Sequence, residues 1–236
     1  MNIFSLFLLF SASVYANQIK ELPNFYKTCK QRDPGVTKCM LGNIMKIRQV
    51  LIKDSQALGI SSVEPLKVAK FSVPKSVFGV ALNFTNIKVQ GLTKFRVREL
   101  GYNPELNVIS IRLSFARIKA EGHYSANGDF GGIRINSKGK FHALLKNLSA
   151  HITLRLGLVK KNGNQTWRIK QAGIKIKVKS VTLNVQNFDK LNEYMKNHFE
   201  VLNALLMPRI EKALEHGLTQ WGTDILSQYK AKDILA

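Results

Sequence analysis

The chain has 236 residues, 36 Lys+Arg against 15 Asp+Glu for a net charge of +21, and only two cysteines. That length supports one domain with a sizeable core, and no linker, repeat or low-complexity tract divides it. Past the amino terminus no run of 18 apolar residues occurs, so no transmembrane segment is expected. The charge sits in the middle: residues 66–187 hold 22 Lys+Arg and four acids, Glu99, Glu105, Glu121 and Asp129. Such a surface favours acidic partners.

Residues 1–16 read as a signal peptide. Residues 3–10 form an apolar stretch too short to span a bilayer, and Val14 and Ala16 are small residues before a cut after Ala16. A secreted, extracellular protein of residues 17–236 follows, which makes nucleic acid an unexpected partner and leaves anionic lipid or acidic glycan. In an oxidising compartment Cys29 and Cys39 read as a disulfide, contributing roughly 3 kcal/mol by loop closure. Asp33-Pro34-Gly35 is a turn within the cysteine loop. From Lys38 the pattern is helical, with Met40, Ile44, Ile47 and Leu51 on one face, Thr37 as N-cap and Gly59 as terminator.

A long β region comes next. Val80, Leu82 and Phe84 alternate with polar residues, as do Phe95 and Val97. Ile109, Ile111, Leu113 and Phe115 give the cleanest period of two. Tyr102-Asn103-Pro104 is a turn. Gly122, Gly128, Gly131, Gly132 and Gly139 punctuate what read as short strands. Residues 160–164 form a hairpin turn. In residues 174–179 Ile174, Ile176 and Val178 alternate with three lysines.

Residues 188–229 carry one apolar stripe at steps of three and four: Phe188, Leu191, Met195, Phe199 and onward to Trp221, Ile225 and Tyr229. As one helix these residues span roughly 63 Å, longer than the ~45 Å diameter of a compact globule of this chain length. Pro208 is the expected kink. Alternating strands have one buried face, so the sheet must cover something. The reading is α+β: an elongated body in which a strongly curved antiparallel β-sheet wraps the long C-terminal α-helix.

Several motifs carry a family likeness: Leu22-Pro23, Cys29-Lys30, Asp33-Pro34 with Cys39, Leu58-Gly59-Ile60, Glu64-Pro65-Leu66, residues 86–92, and Gly122-His123-Tyr124 followed by Gly128 and Gly139-Lys140. With the long helix, they make the chain resemble the insect takeout / juvenile hormone-binding protein family of the tubular lipid-binding superfamily. The resemblance implies an internal apolar tunnel between helix and sheet, and a carrier of a small hydrophobic ligand such as a juvenile hormone-like terpenoid or a fatty acid. Glu64 stands where the family usually has aspartate, and the single cysteine pair is similar to takeout-type members.

Catalytic residues are not expected. The five histidines lack metal-ligand spacing, so no metal site is read, no nucleophile motif occurs, and no cofactor is implied. An apolar ligand can bind by burial alone, at roughly 0.8 kcal/mol per CH₂. Tyr124, Tyr194, Phe199 and Trp221 are the candidate ligand-binding residues. Asn83, Asn147 and Asn164 head glycosylation sequons, with Asn164 the best placed. The alternative function is a basic secreted protein that docks on anionic lipid or acidic glycan surfaces through its lysine-rich strand faces, such as Lys175, Lys177 and Lys179.

Overall fold

The computed structural model describes residues 19–53, 62–77, 79–130, 133–187 and 199–236. Its elements in chain order are α1 (Val36–Lys53), β1 (Leu66–Val73), β2 (Val80–Gln90), β3 (Arg96–Asn103), β4 (Val108–Phe130), β5 (Ile133–Lys161), β6 (Asn164–Val185), α2 (Phe199–Leu226) and the short α3 (Ala231–Ile234). The six strands form one antiparallel sheet in the order β1-β2-β4-β5-β6, and β3 pairs with the remaining length of β4 beside β2. The sheet curls into a half-barrel.

The expected short strands are in fact three very long ones, of 23, 29 and 22 residues. At about 3.3 Å per residue, β5 alone traces roughly 95 Å, so it has to curve. The glycines that suggested breaks lie inside the ladders. Gly122 stands opposite Phe141, and Gly139 opposite Tyr124. A Cβ on Gly122 would come within 2.8 Å of the Thr85 carbonyl oxygen and 3.0 Å of the Phe141 ring, and one on Gly139 within 3.1 Å of the Gln186 Cβ and carbonyl oxygen. Each glycine makes room for a close approach by a neighbouring segment, which is a reason for glycine within a strand and not at its end. The hairpin at 160–164 holds, with Asn162 and Gly163 both at positive φ (49° and 76°), as a tight twisted turn requires.

The helix expected from Lys38 begins at Val36, so Thr37 lies inside its first turn and is not the cap. The Asp33 carboxylate accepts from the Gly35 N–H at 2.6 Å in the turn that leads in. Cys29 and Cys39 form the disulfide. Pro208 is accommodated within α2. The helix ends at Leu226, short of Tyr229, and residues 188–198 and Gly59 lie outside the described residues. The C-terminal segment then folds back on the cysteine loop: the Ala236 N–H donates to the Cys29 carbonyl at 2.9 Å, and the Trp167 indole donates to the Ala231 carbonyl at 3.1 Å.

Strand β6 is a sheet edge, with outward N–H groups that need acceptors. Helix α2 supplies them. Glu215 accepts from the Ile174 N–H at 2.8 Å, Glu211 from the Ile176 N–H at 2.7 Å, and the Thr223 hydroxyl from the Ile169 N–H at 3.0 Å. Four helical residues advance about 6 Å and two strand residues about 6.7 Å, so carboxylates four apart meet N–H groups two apart. The second Glu211 oxygen binds the Lys175 ammonium at 3.0 Å. Replacing both Glu211 and Glu215 by Ala strands two edge N–H groups, at about 1–3 kcal/mol each. We expect chemical denaturation to show that loss, and the double Gln variant, which keeps an acceptor oxygen at each position, to recover much of it.

Candidate functional site

Cross-strand register brings the alternating apolar residues into rows. On one side of the sheet lie Phe115, Leu148 and Val178; then Leu113, Ala150 and Ile176; then Ile111, Ile152 and Ile174; then Ile109, Leu154 and Ala172. The rows continue the other way with Ile118, Leu145 and Val181, then Ala120, Ala143 and Leu183, then Gly122, Phe141 and Val185. Seven rows at about 6.7 Å give an apolar floor some 40–45 Å long.

Side-chain alternation alone would send the second set to the opposite face. Between Phe115 and Ile118, Leu145 and Leu148, and Val178 and Val181, each strand instead turns two successive residues outward: Ala116-Arg117, Lys146-Asn147 and Lys179-Ser180. Asn147 takes positive φ (51°) at this crease, and the ladder bonds skip it. The crease lets one apolar face run the length of strands that would otherwise change sides.

The floor is buried at its ends and, beside the crease, in part of its middle. At one end Cys29, Val36, Leu156, Trp167, Ala231 and Leu235 are buried together. At the other, Val80, Tyr124, Ala126, Phe141 and Val185 are. In the middle Phe115, Ile118, Leu148 and Ala150 are buried, while Ile111, Leu113, Leu145, Ile152, Ile176 and Val178 are half-buried. Among the described residues the helices rest on the margins, α1 on β3 and α2 on β6. The half-buried part of the floor, on β4 and β5, lies between these margins.

The four candidate ligand residues fare differently. Tyr124 is 4 % exposed, at a buried end of the floor. Its hydroxyl donates to the Gln186 carbonyl and shares a 2.8 Å hydrogen bond with Ser137, so its polar end is engaged within the protein. Trp221, expected to line the interior, is 57 % exposed beside a surface depression of about 560 Å³ lined also by Thr219, Gln220, Thr223 and Asp224. The reason is the phase of α2. Glu211, Glu215, Leu218, Gly222 and Leu226 share the sector turned to β6, while Leu214 and Trp221 project about a quarter-turn away. Tyr194 and the Phe199 side chain lie outside the described residues.

The sequon asparagines are also placed. Asn147 is exposed at the crease, and Asn83 accepts from the Ser72 hydroxyl at 2.8 Å. Asn164 donates to the Asn162 carbonyl at 3.1 Å in the hairpin, and the Thr166 of its sequon is 0 % exposed. No group of three or more His, Cys, Asp and Glu side chains that could hold a metal occurs among the described residues. No described helix is long and apolar enough to cross a membrane.

Sequence reading missed the polar corner that holds α1 to the floor's margin. Glu64 accepts from the Gly91 N–H at 2.6 Å and from the Thr93 N–H and hydroxyl at 3.2 and 3.0 Å. The Arg48 guanidinium donates to the Thr93 carbonyl at 2.7 Å and lies 5.5 Å from the centre of the Phe95 ring. Burial works to raise the Glu64 pKa, but these hydrogen bonds, with the charge of Lys94, outweigh it and leave the carboxyl below its usual range. The Glu64-Pro65-Leu66 motif marked the place but not its partners.

A curled antiparallel sheet with a partly open apolar floor and a helix along its edge defines the class: a half-barrel of the takeout type. The chain belongs to the haemolymph juvenile hormone binding protein family, which matches residues 4–236. Among solved structures it is similar to Takeout 1 of Epiphyas postvittana, with a TM-score of 0.72 at 15 % identity over 89 % of this chain and 99 % of that one. Lipopolysaccharide binding protein is a more distant likeness, with a TM-score of 0.42 at 16 % identity over 81 % of this chain and 38 % of that one. No curated protein sequence matches it.

A carboxyl with depressed folded pKa stabilises fully above its unfolded pKa and loses that contribution as pH falls through the folded value. The window for Glu64 therefore lies below about pH 4. We expect Glu64→Gln to be less stable than the parent at pH 7, and the gap to narrow by pH 3. Denaturant melts at both values check it, and an unchanged gap would show that the charge of Glu64 contributes nothing.

Proposed function

We propose that this protein is a secreted carrier that binds one small hydrophobic ligand, a juvenile hormone-like terpenoid or a fatty acid, against the apolar floor. One observation carries the reading: a registered floor of apolar side chains, part of which stays half-open to solvent through its middle. Uncovered apolar surface of that extent costs free energy in water, and burying a ligand there recovers it. The ligand enclosure of an internal tunnel belongs to this proposal, as do the roles of Tyr124, Tyr194, Phe199 and Trp221 as ligand contacts. Tyr124 would close the far end of the groove. Leu214 and Trp221, on the uncovered sector of α2, would form its upper wall. Family membership and the likeness in fold to Takeout 1 support the same reading.

Sequon use is part of the proposal. The exposed Asn147 is open to modification in the folded chain, whereas Thr166 is out of reach, so a glycan on Asn164 would be added before folding.

Native mass spectrometry of the purified protein, with organic extraction, tests the carrier reading. We expect an isoprenoid or acyl ligand near one per chain. Displacement of an apolar fluorescent probe should hold its affinity between low and high salt, because burial is not screened. Ile152→Trp places a large side chain in mid-floor and should weaken a long-chain ligand more than a short one. An empty protein that also fails to bind the probe would overturn the proposal.

A further inference from the structure

The outer side of the crease presents a row of cations. Arg117 on β4 stands directly opposite Lys146 on β5, which stands opposite Ser180 on β6 with Lys179 beside it. Neighbouring strands are about 4.8 Å apart, so the three charges span roughly 10–14 Å across the sheet. Lys119 and Lys177 flank the row, each two residues along its strand, and Arg96 on β3 stands opposite Ser114 on β4. All six side chains belong to exposed residues.

Two of the acids near this face are engaged: Glu99 pairs with Arg112 at 2.7 Å and Glu211 with Lys175 at 3.0 Å. Like charges directly opposite in a ladder destabilise it, so the Arg117–Lys146 pair costs stability until an anion bridges it. The other outward residues of the crease, Ala116, Asn147 and Ser180, are small or polar and offer no apolar wedge to a bilayer. The row runs across the strands, so a linear chain that bears anionic groups can meet its cations in succession.

We propose that the crease is a binding site for a linear acidic glycan, one that bears carboxylate or sulfate groups along its length. It lies on the face opposite the apolar floor and does not depend on the carrier reading. The crease joins the two faces: the same pair of outward residues per strand that keeps the floor apolar places the cations in line.

The test uses a size-defined heparin oligosaccharide and the full mature chain. One variant replaces Arg117, Lys146 and Lys179 by Ser. A second replaces Lys27, Lys30 and Lys38, which line a separate cavity by the cysteine loop, and so removes the same charge elsewhere. Circular dichroism and apolar-probe binding confirm that both fold. We expect the crease variant to bind the oligosaccharide about ten-fold more weakly or worse, and the control to bind nearly as the parent does. Equal losses in both variants would reduce the effect to net charge and overturn the site. Parent protein that binds phosphatidylserine vesicles or an oligothymidylate of matched charge, but not the oligosaccharide, would overturn the choice of partner.

Discussion

The edge of β6 is the constraint on which the architecture rests. A half-barrel that is not closed has a free margin, and a free margin of backbone N–H groups invites pairing with another chain. Here the acceptors come from one face of α2, where Glu211, Glu215 and Thr223 run antiparallel to Ile176, Ile174 and Ile169. Hydrogen bonds to charged acceptors are stronger than neutral ones, and these are short. Helix α2 is held at the margin by these polar groups and by Leu218 and Leu226, which pack on the core beside β6, while Leu214 and Trp221 stay exposed.

The crease solves a second geometric problem. A strand alternates faces strictly, so a curved sheet of 22- to 29-residue strands must either keep perfect phase or reset it. This sheet resets all three long strands on one line, with positive φ at Asn147 and no net change of register between β4 and β5. A bulge in one strand alone would have shifted the pairing beyond it, as happens in β2 around Asn86, where the register with β4 changes between Thr85 and Lys88. Paired resets keep the rows aligned and cost only the ladder bonds at the line itself. The two ends of the floor are closed by different means: a disulfide and the returning C-terminal segment at one, and a buried cluster around Tyr124 and Phe141 at the other.

Much of the fold was legible because local pattern and burial agree. The alternation in residues 109–115 and 174–178, the Asn162-Gly163 turn and the cysteine pair each report an interaction made within a few residues of itself. The glycines misled because their neighbours are distant in sequence: Gly122 is approached by Thr85 and Phe141 and Gly139 by Gln186, and a lone sequence shows the glycine without them. The exposure of Trp221 was hidden for a related reason. An apolar stripe marks a helix face but not which sector meets the sheet, and here acidic residues beside the stripe win that contact through backbone N–H groups. The candidate groove was legible only as a class of site, from the family likeness, and its floor residues are scattered over three strands.

The sequence by itself determined the element types, the disulfide, the basic middle of the chain and the family. Each of these follows from periodicity, composition or short motifs, which are properties of neighbours along the chain. Only the tertiary structure decided how the elements meet: which strand is the edge, which acids cap it, where the faces switch, and how seven apolar rows and a line of cations come to lie on opposite sides of one crease. Those depend on register between segments tens of residues apart, where shifting a pairing by one residue exchanges the faces of a strand without changing its pattern.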